Sequence, residues 1–318
     1  MIDFRYHVVS IIAVFLALGT GIVLGSTALD RPIIDDLKRR TSGLAEDKAR
    51  LQERIEGLEE TVDDDDAFAT AVGTVVLPGR LTGQRVTVVS LPGADGKVRD
   101  SVVDAVRGAG GRISGQLRLL PRFVEPDAAA EIDDLVTTLA TGISPPVGTV
   151  PRAAAELAAA LDSDGKPDGE VVPPRTTRLV SGFREAGLIA VDGNAAVRPG
   201  DLVVFVLGPS AGEAGEAEKA AADRTLRSLV DVITAFAGQG AVVLAAPPTA
   251  AADGSLLKTV RDDAGLAAKL SSVDIAGTPN GTIATVLTLA DAVRREFGHY
   301  GSGPGAEAPL PAMEPTPA

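Results

Sequence analysis

The sequence predicts an α/β protein: an N-terminal transmembrane helix and a coiled coil, then a doubly wound parallel-sheet domain. Three observations carry that expectation. Val8 to Gly25 is uncharged over 18 positions, close to the ~20 residues a helix needs to cross a bilayer. Leu37, Leu44, Leu51 and Leu58 then recur every seven residues. From Gln84 to Tyr300, β-branched runs alternate with helical patterns, as in strands joined by crossover helices.

Each element follows from local pattern. The lead Met1 to His7 is short, and the apolar run behind it places Ala17, Gly21 and Gly25 four apart on one helical face. Gly21 and Gly25 form a GxxxG match, the spacing that lets two membrane helices approach closely. Ser26-Thr27-Ala28 offers the small residues a signal peptidase reads, so residues 1–29 read as a membrane anchor or a signal peptide. The length of the run favours the retained anchor. Arg31 and Lys38 to Arg40 follow the run and taken literally hold the body inside. Long domains translocate largely regardless of such charges, and the body is expected outside the membrane.

Residues 30–77 read as a coiled-coil helix. Asp30 is the expected N-cap of a restarted helix, with Pro32 in its first turn. With the leucines at d, Ile34, Thr41, Lys48, Ile55 and Val62 fall at a. Leu at d with Ile or Val at a favours two parallel strands. The expected dimerisation set is therefore Ala17, Gly21, Gly25, Ile34, Leu37, Leu44, Leu51, Ile55 and Leu58. Gly43 and Gly57 each cost up to ~1 kcal/mol, so the coil is marginal without a paired membrane helix. Asp63 to Asp66 lacks the spacing of a calcium loop and reads as a solvated helix end.

Residues 78–300 read as the α/β domain. Strands are expected at Arg85 to Ser90, Arg112 to Leu119, Asp201 to Gly208, Ala241 to Ala246 and Val273 to Ile275. Helices are expected at 97–107, 127–140, 178–186, 213–238, 256–270 and 281–297. The stretch 141–174 is rich in Pro, Gly and Ala, with a short helix at 152–161. It reads as an insertion or a loop-rich helical segment. Residues 301–318 are Gly, Pro, Ala and Glu, and are expected to be disordered. Ligands of doubly wound sheets sit at the carboxyl ends of the strands. Here the candidate crevice is Pro92, Gly93, Asp95, Gly208, Pro209 and Ser210.

The composition narrows the chemistry. A formal charge of -13 argues against nucleic acid as a partner. With no cysteine there are no disulfides, thiolate metal sites or cysteine nucleophiles. No P-loop, G-x-G-x-x-G or H-E-x-x-H pattern occurs, and Gly19 to Gly25 misses the second of these by its last gap; Gly208 to Gly212 does have G-x-S-x-G spacing around Ser210, but a triad there would need His299, a constellation this reading does not favour. The expectation is a protein that is not an enzyme and takes no cofactor. Metal ligation has one weak candidate, His299.

The start, Ile2 to Ser26, and the end, where Ser272-Val273-Asp274 leads to Gly298-His299-Tyr300-Gly301, resemble the actinobacterial MctB family of cell-envelope proteins, also discussed as SteB. The resemblance covers the whole chain and implies copper transport or efflux and copper resistance in the envelope. A second attribution it carries is a membrane-bound partner of SteA that regulates a peptidoglycan hydrolase in cell separation. The residues weigh on the choice. Copper favours clustered Cys, Met or His, and beyond the initiator only His7, His299 and Met313 exist. A pore needs several spanning helices or a closed barrel, and this chain offers one apolar run. The reading is a dimeric, single-pass envelope scaffold with an extracytoplasmic binding domain and copper as an inherited family role.

Overall fold

The structure is a computed structural model that describes residues 4–139, 147–163, 172–193, 196–210 and 216–312, with side chains at 26–39 and 216–218 outside that description. The chain divides into two compact units, Met1–Asp65 and Asp66–Ala318.

The first unit is helical throughout its described length, as part of α1 (Phe4–Val76). Phe4–Gly25 is the one helical stretch, among the described residues, long and apolar enough to cross a membrane, and none of it is buried. The helix does not restart at Asp30. Pro32 lies inside a continuous helix. A proline there removes one backbone hydrogen bond, but the residues on both sides favour helix and no glycine follows to turn the chain out.

In the second unit the strands are β1 (Arg85–Ser90), β2 (Arg112–Leu119), β3 (Ile189–Val191), β4 (Leu202–Val206), β5 (Ala241–Ala245), β6 (Ser271–Val273) and β7 (His299–Tyr300). They form one sheet in the order β3-β2-β1-β4-β5-β6-β7. All pairs are parallel except β2 with β3. Strand order reverses between β1 and β4: the chain first steps outward to β2, then returns to the other side of β1.

Helices cover both faces, which explains the unbroken apolar runs. Along β4, Val203 and Phe205 face one core, while Leu202, Val204 and Val206 face the other. Strand β5 splits the same way, with Val242 and Leu244 against Ala241, Val243 and Ala245. One layer holds α2 (Gly96–Gly108), α9 (Pro279–Val293) and the end of α1. The opposite layer holds α3 (Ala129–Leu139), α4 (Thr149–Leu161), α5 (Pro174–Glu185), α6 (Glu216–Ala237), α7 (Leu256–Asp262) and α8 (Ala264–Ala267). Two edge-on aromatic pairs anchor that second core, Phe205 with Phe236 at 5.0 Å and Phe123 with Phe183 at 6.0 Å between ring centres.

Several expectations are corrected. The body begins at Asp66 and not at Pro78, because Ala69, Val72 and Leu77 pack into its core. The short helix expected at 152–161 is present and runs from Thr149 to Leu161. Helix α4 is a core helix packed against α3, α5 and α6, its alanines letting it approach on several sides. The rest of the stretch, 140–146 and 164–171, lies outside the described residues. The helix expected over 256–270 breaks at Asp263, whose carboxylate caps α8 by accepting from the N–H groups of Gly265 and Leu266. Strand β6 lies two residues earlier than expected, because Ser271 and Ser272 are buried with partners of their own. Residues 301–312 are not disordered. Gly301 N–H donates to the Ala308 carbonyl, and Leu310 packs on the core.

Candidate functional site

Three sets of residues carry the functional expectations. In the first unit, Ala17 is exposed, and a Cβ added at Gly21 or Gly25 would meet nothing within 4 Å. The small-residue face is thus uncovered within one chain. Leu44, Leu51, Ile55 and Leu58 are 52 to 72% exposed, and Val62 continues their line. Ile34 and Leu37 are helical, and their side chains lie outside the described ones. No residue of the chain is described against this stripe.

The second set lies at the carboxyl ends of β1 and β4, where strand order reverses. Pro92, Gly93, Gly208, Pro209 and Ser210 do come together, around a cavity of about 310 Å³. Asp95 does not join them. It caps α2, its carboxylate accepting from the Lys97 N–H at 2.8 Å. The sequence reading missed the far wall, supplied by Leu226 and Leu229 of α6, Ala250, and Leu256 and Leu257 of α7. The inward apolar face of α6 was the available signal, but its register against the strand ends depends on the crossover.

The third set surrounds His299. Arg261 and Asp274 form an ion pair at 2.7 Å with both side chains 1% exposed. Arg261 also donates from Nε to Ser272 Oγ, and from its Nη atoms to the Pro304 and Tyr300 carbonyls. Asp274 accepts from the N–H groups of Ser302 and Gly303. Ser272 Oγ lies 2.9 Å from His299 Nδ1. The imidazole also hydrogen-bonds the Ala267 backbone. Burial, and then the nearby Arg261 charge, push its pKa below the ordinary value, against a smaller opposite pull from Glu307. These two hydrogen bonds, to Ser272 and Ala267, make His299 a clamp that ties the C-terminal segment to the sheet edge. Met313 lies outside the described residues. Among the described residues no group of three or more His, Cys, Asp or Glu side chains is arranged to hold a metal ion.

A further ionic cluster at the opposite ends of the strands is structural. Arg85 holds Asp201 at 2.6 Å, and Ser163 donates to the same carboxylate. Burial pushes the Asp201 pKa up, but the hydrogen bonds from Arg85 and Ser163 outweigh it and hold the group below the usual carboxylate range.

Comparison with known proteins gives concordant matches. The family model described as copper transport outer membrane protein, MctB, matches residues 1–311. A protein named copper transporter MctB from Mycobacterium tuberculosis is 28% identical over 314 residues, covering 96% of this chain and 98% of that protein. The protein of the same name from Mycobacterium leprae is 26% identical over 328 residues, with 96% and 98% covered.

Proposed function

This chain belongs to the MctB family, and from that premise we propose that it is a membrane-anchored, dimeric, non-enzymatic scaffold with a copper-related role in the cell envelope. Copper is the cargo of the process, handled by an assembly that this protein organises. In this reading the body lies outside the membrane, behind a single spanning helix. One observation supports the reading above others: the exposed stripe Leu44, Leu51, Ile55, Leu58 and Val62 follows a membrane-length apolar helix and has heptad spacing. Such a stripe is stable in water only when covered, and a parallel copy brought close by its own membrane helix is the simplest cover.

The experiment is complementation of a deletion strain at matched protein levels. Leu44→Asp with Leu51→Asp places like charges in the seam and is expected to lose copper tolerance. His299→Gln with Met313→Leu removes the imidazole and thioether that follow the membrane-length helix, and is expected to retain it. The reverse pattern would overturn the scaffold reading in favour of direct coordination. A second reading, the membrane-bound partner of SteA in cell separation, is favoured by the same stripe, since a paired stalk suits relaying a partner's state across a membrane. It predicts that the seam variant alters cell separation with copper tolerance intact.

A further inference from the structure

The crevice at the strand ends has a chemistry unlike the usual occupant of a doubly wound sheet. In dinucleotide-binding versions of this fold a pyrophosphate passes between the two central strand exits and rests on a helix N-terminus. Here both positions are filled. A side chain at Gly208 would overlap the Gly93 carbonyl, so the two exits touch backbone to backbone. The ladder also continues past the strands, with Leu91 N–H donating to the Val206 carbonyl and Leu207 N–H to that of Ala245. The N-terminus of α2 is already occupied by the Asp95 carboxylate. Among the described residues no lysine or arginine lines the cavity, and Asp223 is the one charged residue there. An anion therefore meets no counter-charge there.

What remains is apolar wall and one unused polar atom. Leu226, Leu229 and Leu256 supply much of the surface. Among the described residues Ser210 Oγ is buried without a hydrogen-bond partner, although the Ser210 backbone N–H is satisfied by the Thr249 carbonyl. A buried hydroxyl left without a partner is costly, and a ligand that meets it recovers the loss. At about 310 Å³ the space lies at the small end of ligand pockets. We propose that this crevice is a binding site for a small neutral aliphatic ligand whose hydroxyl or amide meets Ser210 Oγ, and that it does not take nucleotides.

The test is methyl NMR of the full chain in detergent, with leucine methyls labelled and 1-hexanol as the probe. Saturable shifts at Leu226, Leu229 and Leu256 are expected. Ser210→Ala should weaken the apparent Kd about tenfold, the size of one lost hydrogen bond. Ala222→Phe, at an exposed position of the cavity wall, should abolish the shifts while uptake of the alcohol by the micelle stays the same. ATP should leave the Gly93 and Gly208 amides unmoved. Shifts that do not saturate, shifts that persist in Ala222→Phe, an unchanged Kd in Ser210→Ala, or an ATP response at Gly93 and Gly208 would each overturn the proposal.

Discussion

The two units treat apolar side chains in opposite ways. In the body, Val204, Leu244, Ile233 and Leu257 are wholly buried, and the cores on both sides of the sheet close within one chain. In the first unit, Ile11, Phe15, Leu24, Leu44, Leu51 and Leu58 are each more than half exposed. The difference teaches that the body carries its own stability, whereas the N-terminal helix is specified for surroundings that it does not supply. For Phe4–Gly25 that is lipid. For the heptads, in the function proposed above, it is a second copy.

The largest expected effect sharpens the first half of the comparison. Asp274→Ala leaves Arg261 as an uncompensated charge in a site only 1% exposed. Breaking such a pair costs about 3–5 kcal/mol. Denaturant unfolding of the full chain should show that loss in the body, while dimerisation through the heptads persists under conditions where the body still folds. Next, Gly301→Ala forces a side chain onto a residue at φ +130 and against the Asp274 carboxylate. Backbone strain of this kind costs of order 1–3 kcal/mol, so Gly301→Ala should lower the thermal midpoint less than Asp274→Ala does.

Those two positions also show how far the sequence could be read. Strands β1, β4 and β5 were legible because burial on both faces requires continuous Val, Leu and Ala, and no polar residue interrupts them. Strand β6 was misplaced because Ser271 and Ser272 look like loop, and their partners, Gly298, Arg261 and His299, lie 11 to 27 residues away. Strands β3 and β7, three and two residues long, carry too little periodicity to be seen. The segment after Gly301 has the composition of a disordered tail, but Gly301 and Gly303 are there because the chain wraps tightly around Asp274. Of the crevice, the strand exits were legible from their Pro-Gly and Gly-Pro steps, and the wall from α6 and α7 was not. Asp95 was assigned to the crevice because capping and ligand binding draw on the same residue types at the same place.

Acid should act on the body before it acts on the seam leucines, which do not titrate. His299 is held below its ordinary value of 6.5, so the stability it contributes is full above that pH and is lost as pH falls through the lower folded value. Asp201, held below 3.8, adds a second loss at still lower pH. His299→Gln, which keeps a neutral hydrogen-bonding group, should flatten the upper part of the stability-against-pH curve, from 6.5 downward, and leave the lower part. An unchanged curve would remove His299 from the account of the clasp. The smallest effect is expected at Asp95→Ala, which uncaps α2 and should cost about 1 kcal/mol in the same unfolding assay.

The central claim is that a second, parallel copy covers the heptad stripe, and an engineered cysteine tests it most directly because the chain has none of its own. Leu51→Cys places a thiol at d, where parallel strands face each other, and Glu53→Cys places one at f, on the outside of the coil. The full-length variants in detergent are oxidised mildly and run without reductant. A dimer band for Leu51→Cys with Glu53→Cys remaining monomeric is the predicted result. A monomeric Leu51→Cys, or equal cross-linking at both positions, would contradict it.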